Sequence, residues 1–180
     1  MFSEKGAEAT TIEDITERAD VGKGTFYRHF ESKEALLTAL SAEAVAHLAE
    51  HMRAGGPRAS LEEALEGLLN AHVAFLTDSP EKFALVFQGR LPLGRERAAA
   101  AEKPEAPYAR YLAEVAAQLS PFFPQGIEPA KLRRLASAVA GFASGFFSAM
   151  MVGFAAGEIE KSVEPLRRAW VARSAEFLKR

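Results

Sequence analysis

The sequence predicts an all-α protein in which a short helix-turn-helix unit precedes a larger helical bundle. Apolar residues recur at spacings of three and four along most of the chain, as on one face of a helix. Serine, threonine, glycine and proline stand at the positions where such helices would begin and end. Near the N-terminus, residues 10–37 divide into two short amphipathic segments around one turn, and a third, longer segment follows.

The first amphipathic segment opens with a capping signal. The Thr10 hydroxyl is placed to cap the helix, and Glu13 three residues later would complete a capping box. A turn is predicted at residues 20–22, where we expect Gly22 to adopt the backbone geometry that redirects the chain.

The second segment has an apolar side and a polar side. Phe26 and Phe30 are four residues apart and can pack onto the first helix. The opposite side carries donors that suit phosphate oxygens and base edges of DNA, namely Lys23, Thr25, Tyr27, Arg28 and His29. Ser32 is expected to cap the third helix. Lys33, in its first turn, opposes the helix dipole and should gain little from the fold, whereas phosphate binding would explain it.

Together these motifs resemble the TetR family of bacterial transcriptional regulators. The sequence Gly-Thr-Phe-Tyr-x-His-Phe-x-x-Lys-Glu at residues 24–34 is preceded by Glu-Lys-Gly, Thr-Thr and Ile-x-x-Ile, and the match covers roughly the first quarter of the chain. The resemblance implies a helix-turn-helix DNA-binding domain at residues 1–42 and a helical effector-binding and dimerisation domain at residues 43–180. It also implies a homodimer that binds a palindromic operator in double-stranded DNA, and repression that a small-molecule effector releases.

The resemblance assigns roles to individual residues. It places Thr11, Tyr27, His29 and Lys33 at phosphate-contacting positions, and Lys23, Thr25 and Arg28 near base edges. Two features depart from the family pattern. Gly22 stands where a capping serine is common. The first helix is reduced to MFSEKG, which predicts poor cover for Ile15 and Phe26 and suggests that upstream sequence is missing.

Charge at the N-terminus is unfavourable for nucleic acid. Residues 1–40 contain five basic and eight acidic residues, a net charge of −3, whereas DNA binding usually needs a positive footprint. The basic residues do cluster at residues 23–33. The alternative is a helical hairpin whose basic face is merely solvated.

Whole-chain composition is that of an ordinary globular protein. The 180 residues are 48% hydrophobic and 26% charged, with a net charge of −2, so no extreme partner is implied. The absence of cysteine excludes disulfides and thiolate metal sites and is compatible with the cytoplasmic location we expect. No secretory signal is visible, and we expect no cofactor.

The C-terminal part contains 23 uncharged residues at 135–157. They are long enough to span a bilayer, but their seven alanines, four glycines and three serines favour a buried helix of a protein with no membrane association. Small residues at every fourth position let another helix approach closely. We therefore predict a homodimer interface on this helix and on a last helix opening near Pro165, forming half of an intersubunit four-helix bundle. Its residues are Gly141, Gly145, Ala149, Gly153, Leu166, Trp170 and Phe177. The alternative is an internal helix of a monomer.

An effector pocket is predicted around His72, which continues an otherwise apolar helix face. Its partner is either an effector or, as in most such histidines, a backbone carbonyl. A largely apolar cavity would be completed by Phe83, Phe87, Gln88, Tyr108, Tyr111, Phe142, Phe146 and Met150. We expect a hydrophobic or aromatic effector; alternatively, these side chains are simply core.

A rival hypothesis comes from residues 47–51, which match the H-x-x-E-H pattern of inverted zinc peptidases. His47 and His51 share a helix face and could bind zinc, with Glu50 as general base and a third ligand such as Glu102 or Glu105. The alternative function is therefore a metal-binding protein or a zinc peptidase. The favoured interpretation is a regulator that is not an enzyme and binds no metal.

Remaining helices are predicted from their breakers. The third helix should run from Lys33 to Arg53 and stop at the Gly-Gly-Pro of residues 55–57. Ser60 and Glu63 should form a capping box that starts a helix running to about residue 76. Further helices are expected at about 80–88 and 107–119 and after Pro129, with a loop near 89–107.

Overall fold

The structure, a computed structural model, describes residues 2–87, 106–123, 126–151 and 156–178, and this part of the chain is all helical, as predicted. The α-helices are α1 (Phe2–Lys5), α2 (Ile12–Arg18), α3 (Lys23–His29), α4 (Lys33–Ala54), α5 (Leu61–Asp78), α6 (Pro80–Phe87), α7 (Pro107–Leu119), α8 (Pro129–Met151) and α9 (Ala156–Leu178). A single 3₁₀ turn, Ser120–Phe122, follows α7 in the described residues. Gln88 and most of the predicted 89–107 loop lie outside the described residues.

The cap of α2 is one residue later than predicted. Thr11, not Thr10, is the N-cap, and its hydroxyl accepts a hydrogen bond from the Asp14 amide at 3.1 Å. The Asp14 carboxylate completes the box by accepting from the Thr11 amide at 2.9 Å. Thr10 is instead buried and donates to the Gly6 carbonyl at 2.7 Å. Prediction failed here because two adjacent threonines carry the same local signal.

The turn between α2 and α3 also differs from the prediction. Gly22 has φ −74°, which any residue can adopt, and the left-handed residue is Asp20, with φ 52°. Aspartate tolerates this region better than most side chains, so the chain is redirected two residues earlier. Gly22 does precede α3 as an N-cap without a side-chain hydrogen bond, as the sequence predicts.

The short first helix does not leave the helix-turn-helix apolar side open as expected. Phe26 is only 5% exposed and its ring centroid lies 5.8 Å from that of Phe30, so the predicted poor cover is wrong for Phe26. Ile15 is partly exposed. α1 also contacts α6, which joins the N-terminal unit to the bundle.

The bundle is built around α5. This helix packs against α4, α6, α7, α8 and α9, and its capping residue Ser60 accepts a hydrogen bond from the Glu63 amide at 3.1 Å, as predicted. Residues with no exposed surface include Leu48, Leu65, Leu69, Phe75, Phe83, Tyr111, Val115 and Val139. Burying each large apolar side chain contributes about 1.5–3 kcal/mol, so these positions hold α4 to α8 together.

One prediction about the last helices is wrong. α9 begins at Ala156, so Pro165 lies inside it rather than at its start. On α8, Ser137, Gly141 and Gly145 are exposed in the single chain, while positions such as Val139 face the core. Within the described residues, no helix is long and apolar enough to cross a membrane.

Candidate nucleic-acid interface

The exposed side of α3 carries the residues that the sequence singles out. Lys23, Tyr27, Arg28 and His29 are exposed, Tyr27 by 56%, while Thr25 is half-buried. Phe26 on the opposite side is buried and fixes the orientation of the helix. We call the side formed by Lys23, Thr25, Tyr27, Arg28 and His29 the α3 face. Its donors and aromatic ring are the groups that bind phosphates and base edges.

Val21 and Gly24 border the α3 face near its start and were not among the residues predicted from the sequence. Val21 is 42% exposed, and an apolar side chain there suits a thymine methyl group. A Cβ added at Gly24 would meet nothing within 4 Å, so this side of α3 is open to close approach. An apolar valine within the polar turn was the available signal for the first position.

Lys23 is already engaged by an acidic side chain. Its ammonium forms a salt bridge with the Glu13 carboxylate of α2. The hydrogen bond from Lys23 is the main reason that the pKa of Glu13 is lowered. An anionic ligand of Lys23 would therefore have to compete with Glu13, a contact that the sequence spacing of ten residues did not reveal.

The N-terminus of α2 is held by a second network. The Thr11 hydroxyl donates to Asp14 Oδ2 at 2.9 Å, and Lys5 Nζ donates to Asp14 Oδ1 at 3.1 Å. Hydrogen bonds from the Thr11 amide, the Lys5 ammonium and the Thr11 hydroxyl lower the pKa of Asp14 to about 2. Asp14 therefore stays ionised at neutral pH, and Thr11 is held at the exposed end of α2.

Lys33 is bound to the backbone. Its Nζ donates to the carbonyls of Ala7 and Thr10 at 2.8 Å and of Glu8 at 3.4 Å. The expectation that Lys33 gains little from the fold is therefore wrong. Its partners lie 23–26 residues away in sequence, which helix-terminus reasoning does not detect.

A surface cavity of about 420 Å³ lies between the α1–α2 connection, α3 and α4. It brings together three of the four predicted phosphate-contacting residues, Thr11, Tyr27 and Lys33, whereas His29 is not among its lining residues. The lining also includes four carboxylates, those of Glu8, Glu13, Glu31 and Glu34. The negative charge counted in the sequence is thus concentrated beside the α3 face.

In the bundle, His72 and Tyr111 form a buried pair. His72 Nδ1 donates to the Leu68 carbonyl at 2.7 Å, so Nε2 is the acceptor for the Tyr111 hydroxyl at 2.8 Å. Burial lowers the pKa of His72 to about 4 and raises that of Tyr111 well above its ordinary value. Both hydrogen-bond partners of His72 are therefore protein groups. One of them is a backbone carbonyl, as in one of the two alternatives that the sequence left open for this histidine.

Part of the predicted effector set surrounds this pair. The Phe87 ring lies 5.8 Å from His72 and 5.3 Å from Tyr111, Phe83 lies 4.4 Å from Phe87, and Tyr108 lies 5.6 Å from Tyr111. These five residues form what we call the aromatic cluster. The other four predicted residues, including Gln88, fall outside this cluster or outside the described part of the chain. Phe142 stacks on Trp170 at 5.2 Å. Phe146 and Met150 lie on α8, with side chains outside the described part.

The predicted dimer residues are only partly described. Gly141 and Gly145 are exposed on α8, and Leu166 is 64% exposed on α9. Trp170 is partly covered by Phe142 of the same chain. Ala149 and Phe177 lie in helices, but their side chains are not among the described ones. Gly153 is outside the described residues.

In the H-x-x-E-H segment, the His51 ring is engaged within the fold, whereas the buried Nδ1 of His47 has no hydrogen-bond partner in the part of the chain that the structure describes. His51 Nδ1 donates to the His47 carbonyl at 3.1 Å, and its Nε2 lies 3.2 Å from Asp78 Oδ2. Glu50 is exposed. Among the described residues, no group of three His, Cys, Asp or Glu side chains is placed to hold a metal ion. Glu102 and Glu105, the proposed third ligands, lie outside that part.

Sequence comparison relates the N-terminal unit to known regulators. The family model for bacterial regulatory proteins of the tetR family matches residues 1–40. The uncharacterized HTH-type transcriptional regulator YerO of Bacillus subtilis (strain 168) is 54% identical over 37 residues, 21% of this chain and 13% of YerO. The HTH-type transcriptional repressor DhaR of Mycobacterium sp. (strain GP1) is 54% identical over 35 residues, 19% of this chain and 18% of DhaR. The chain thus matches less than a fifth of either relative's length.

Structure comparison extends the likeness to the bundle. The transcriptional regulator FadR from Bacillus subtilis, solved in complex with stearoyl-CoA, superimposes with a TM-score of 0.68 and 16% identity. The superposition covers 94% of this chain and 91% of FadR. This likeness confirms the predicted fold class, an N-terminal helix-turn-helix followed by a helical bundle.

Proposed function

We propose that this chain, whose residues 1–40 match the model for bacterial regulatory proteins of the tetR family, is a member of that family and a DNA-binding transcriptional repressor. The observation that carries the proposal is the α3 face, with Tyr27, Arg28 and His29 exposed above buried Phe26. Such a helix, supported from behind by a second one, enters the major groove. The proposed DNA-contacting residues are Thr11, Lys23, Thr25, Tyr27, Arg28 and His29.

The proposed operator is palindromic because the proposed active form is a homodimer. In a two-fold dimer, two α3 helices read half-sites about 34 Å apart. Exposed Gly141 and Gly145 on α8 and Leu166 on α9 support an interface between copies at the C-terminal helices. In this proposal, residues 1–42 bind DNA and residues 43–180 bind the effector and the second copy.

The proposed effector is a hydrophobic or aromatic small molecule. Its site is the aromatic cluster, where Phe83 and Phe87 lie on α6 and Tyr111 on α7. The stearoyl-CoA bound by FadR supports an effector with a long apolar group. α6 contacts both α1 and α4, so an effector that shifts α6 has a route to the DNA-binding unit. The effector releases DNA only if it binds the DNA-bound arrangement of the chain and the DNA-free arrangement with different affinity.

Selection from a pool of random duplexes tests this function. We expect the full chain to enrich a palindrome whose half-sites are one helical turn apart, and stearoyl-CoA to weaken binding to the enriched duplex. Arg28→Ala should alter the enriched sequence, whereas Arg53→Ala, which removes an arginine paired with Glu114, should not. If no sequence is enriched over the starting pool, the chain is not a sequence-specific regulator.

A further inference from the structure

We propose that Lys33 is a positioning residue of the DNA-binding unit. Its ammonium fixes the α1–α2 connection through backbone carbonyls, and it supports DNA binding by placing Thr11 and α2 instead of contacting a phosphate itself. The inference rests on the proposed function and concerns one residue of the same surface.

The hydrogen-bond donors of Lys33 match the acceptors around them. A lysine ammonium has three donors and no acceptor, and Lys33 Nζ faces the carbonyls of Ala7, Glu8 and Thr10. These carbonyls lie in the connection between α1 and α2. Two of the bonds are 2.8 Å long, so the main donors of Lys33 are already used in the free protein.

The peptide group between Thr10 and Thr11 links Lys33 to the start of α2. Its carbonyl accepts from Lys33 Nζ, and its amide, that of Thr11, donates to Asp14 Oδ2 at 2.9 Å. One rigid peptide plane is therefore held at both ends. Because the Thr11 amide belongs to the capping box of α2, Lys33 fixes the orientation in which α2 begins.

Lys33 lies in the first turn of its own helix, α4. Ser32 caps α4 through a 3.1 Å bond from the Ala35 amide, which sets the first turn and directs Lys33 toward the α1–α2 connection. A cation at a helix N-terminus is unfavourable, and the three carbonyl dipoles offset this cost. Lys33 thereby ties α4 to the segment that leads into α2.

Salt dependence distinguishes positioning from phosphate contact. We expect Lys33→Met to bind the selected duplex about tenfold more weakly at every salt concentration, with an unchanged slope of log affinity against log salt. The loss arises because DNA binding must then re-order the α1–α2 connection, at a cost comparable to one hydrogen bond to a charged group. A lost phosphate contact would instead make the slope shallower by about 0.9. That result would overturn the proposal.

Lys33→Arg is the matched variant that keeps the charge. A planar guanidinium binds phosphate well but does not fit three carbonyls that converge on one point. Positioning therefore predicts that Lys33→Arg stays as weak as Lys33→Met. Near-normal affinity of Lys33→Arg would contradict it.

Nuclear magnetic resonance of the free wild-type chain tests the proposal without relying on variants, which could fold poorly. The ammonium signal of wild-type Lys33 should be protected from solvent exchange before DNA is added and unchanged afterwards. An unprotected signal that moves on DNA addition would overturn the proposal. If the wild type binds no duplex at all, the proposed function fails, and protection in the free chain alone still decides whether Lys33 anchors the connection.

Discussion

His72 Nε2 lies 2.8 Å from the Tyr111 hydroxyl oxygen, and neither residue has any exposed surface. The bond joins α5 to α7 at the centre of the aromatic cluster. Because Nδ1 donates to the Leu68 carbonyl, His72 must be neutral for Nε2 to accept from tyrosine. The pair is thus both a link between helices and a group sensitive to acid.

Stability should fall on mild acidification because of His72. Its pKa is about 4 in the folded chain, against 6.5 as the ordinary value, so the unfolded chain binds more protons between these limits. The contribution of neutral His72 to the free energy of unfolding is complete above pH 6.5. It is lost as pH falls toward 4, by on the order of 3 kcal/mol. Urea unfolding between pH 7 and about pH 5 should show a smaller loss for His72→Phe than for wild type. The exposed control, His29→Gln, should behave as wild type; equal losses in all three proteins would contradict the assignment.

Removing Glu13 should tighten DNA binding. Glu13→Gln frees Lys23 from its salt bridge, and because such exposed pairs are weak, we expect an affinity gain of no more than about fivefold. The salt slope should become steeper by about 0.9 if Lys23 then reaches a phosphate. Glu17→Gln is the control, because it removes the same charge one turn further along α2. The same gain in both variants would show that only net charge matters.

Arg28 should affect which sequence is bound. On the exposed α3 face, its guanidinium can form paired hydrogen bonds to guanine, and losing them typically costs about 1–3 kcal/mol of discrimination. We expect Arg28→Ala to relax specificity at one position of each half-site in a competition assay. A uniform loss of affinity across all sequences would place Arg28 on the phosphates instead.

Gly141 tests the proposed dimer. A Cβ there meets nothing within 4 Å in the single chain, so Gly141→Leu should fold normally and gain helix propensity of about 1 kcal/mol. The larger side chain should nevertheless keep two copies of α8 apart, giving a monomer in sedimentation experiments. Ala113→Leu, at an exposed position of α7, serves as the control. A dimer of unchanged affinity in Gly141→Leu would exclude this surface as the interface.

Local signals in the sequence predicted most helices of the described chain. Ser32 and Ser60 cap their helices as expected, because capping depends on neighbouring residues. Long-range contacts were not predictable in this way. Lys33 finds its carbonyls across 23–26 residues, and the last helix passes through Pro165, a local signal for a helix start.

The candidate site was predicted in its residues but not in its electrostatics. The α3 face is exposed as its spacing predicts, since Phe26 and Phe30 determine the buried side. The Glu13 salt bridge depends on how α2 and α3 pack, which spacing alone does not give. Likewise, a histidine on an apolar face required a partner, but only the fold identifies Tyr111 as that partner.

We propose above all that this chain binds duplex DNA through the α3 face. The salt dependence of the chain's affinity for a selected duplex tests this proposal most directly. We predict that log affinity falls linearly with log salt, as counterions are released from the phosphates, and that Arg28→Ala weakens binding to the selected duplex. Arg53→Ala should leave it unchanged, since that arginine pairs with Glu114. Absence of salt-sensitive duplex binding by the full chain would contradict the account.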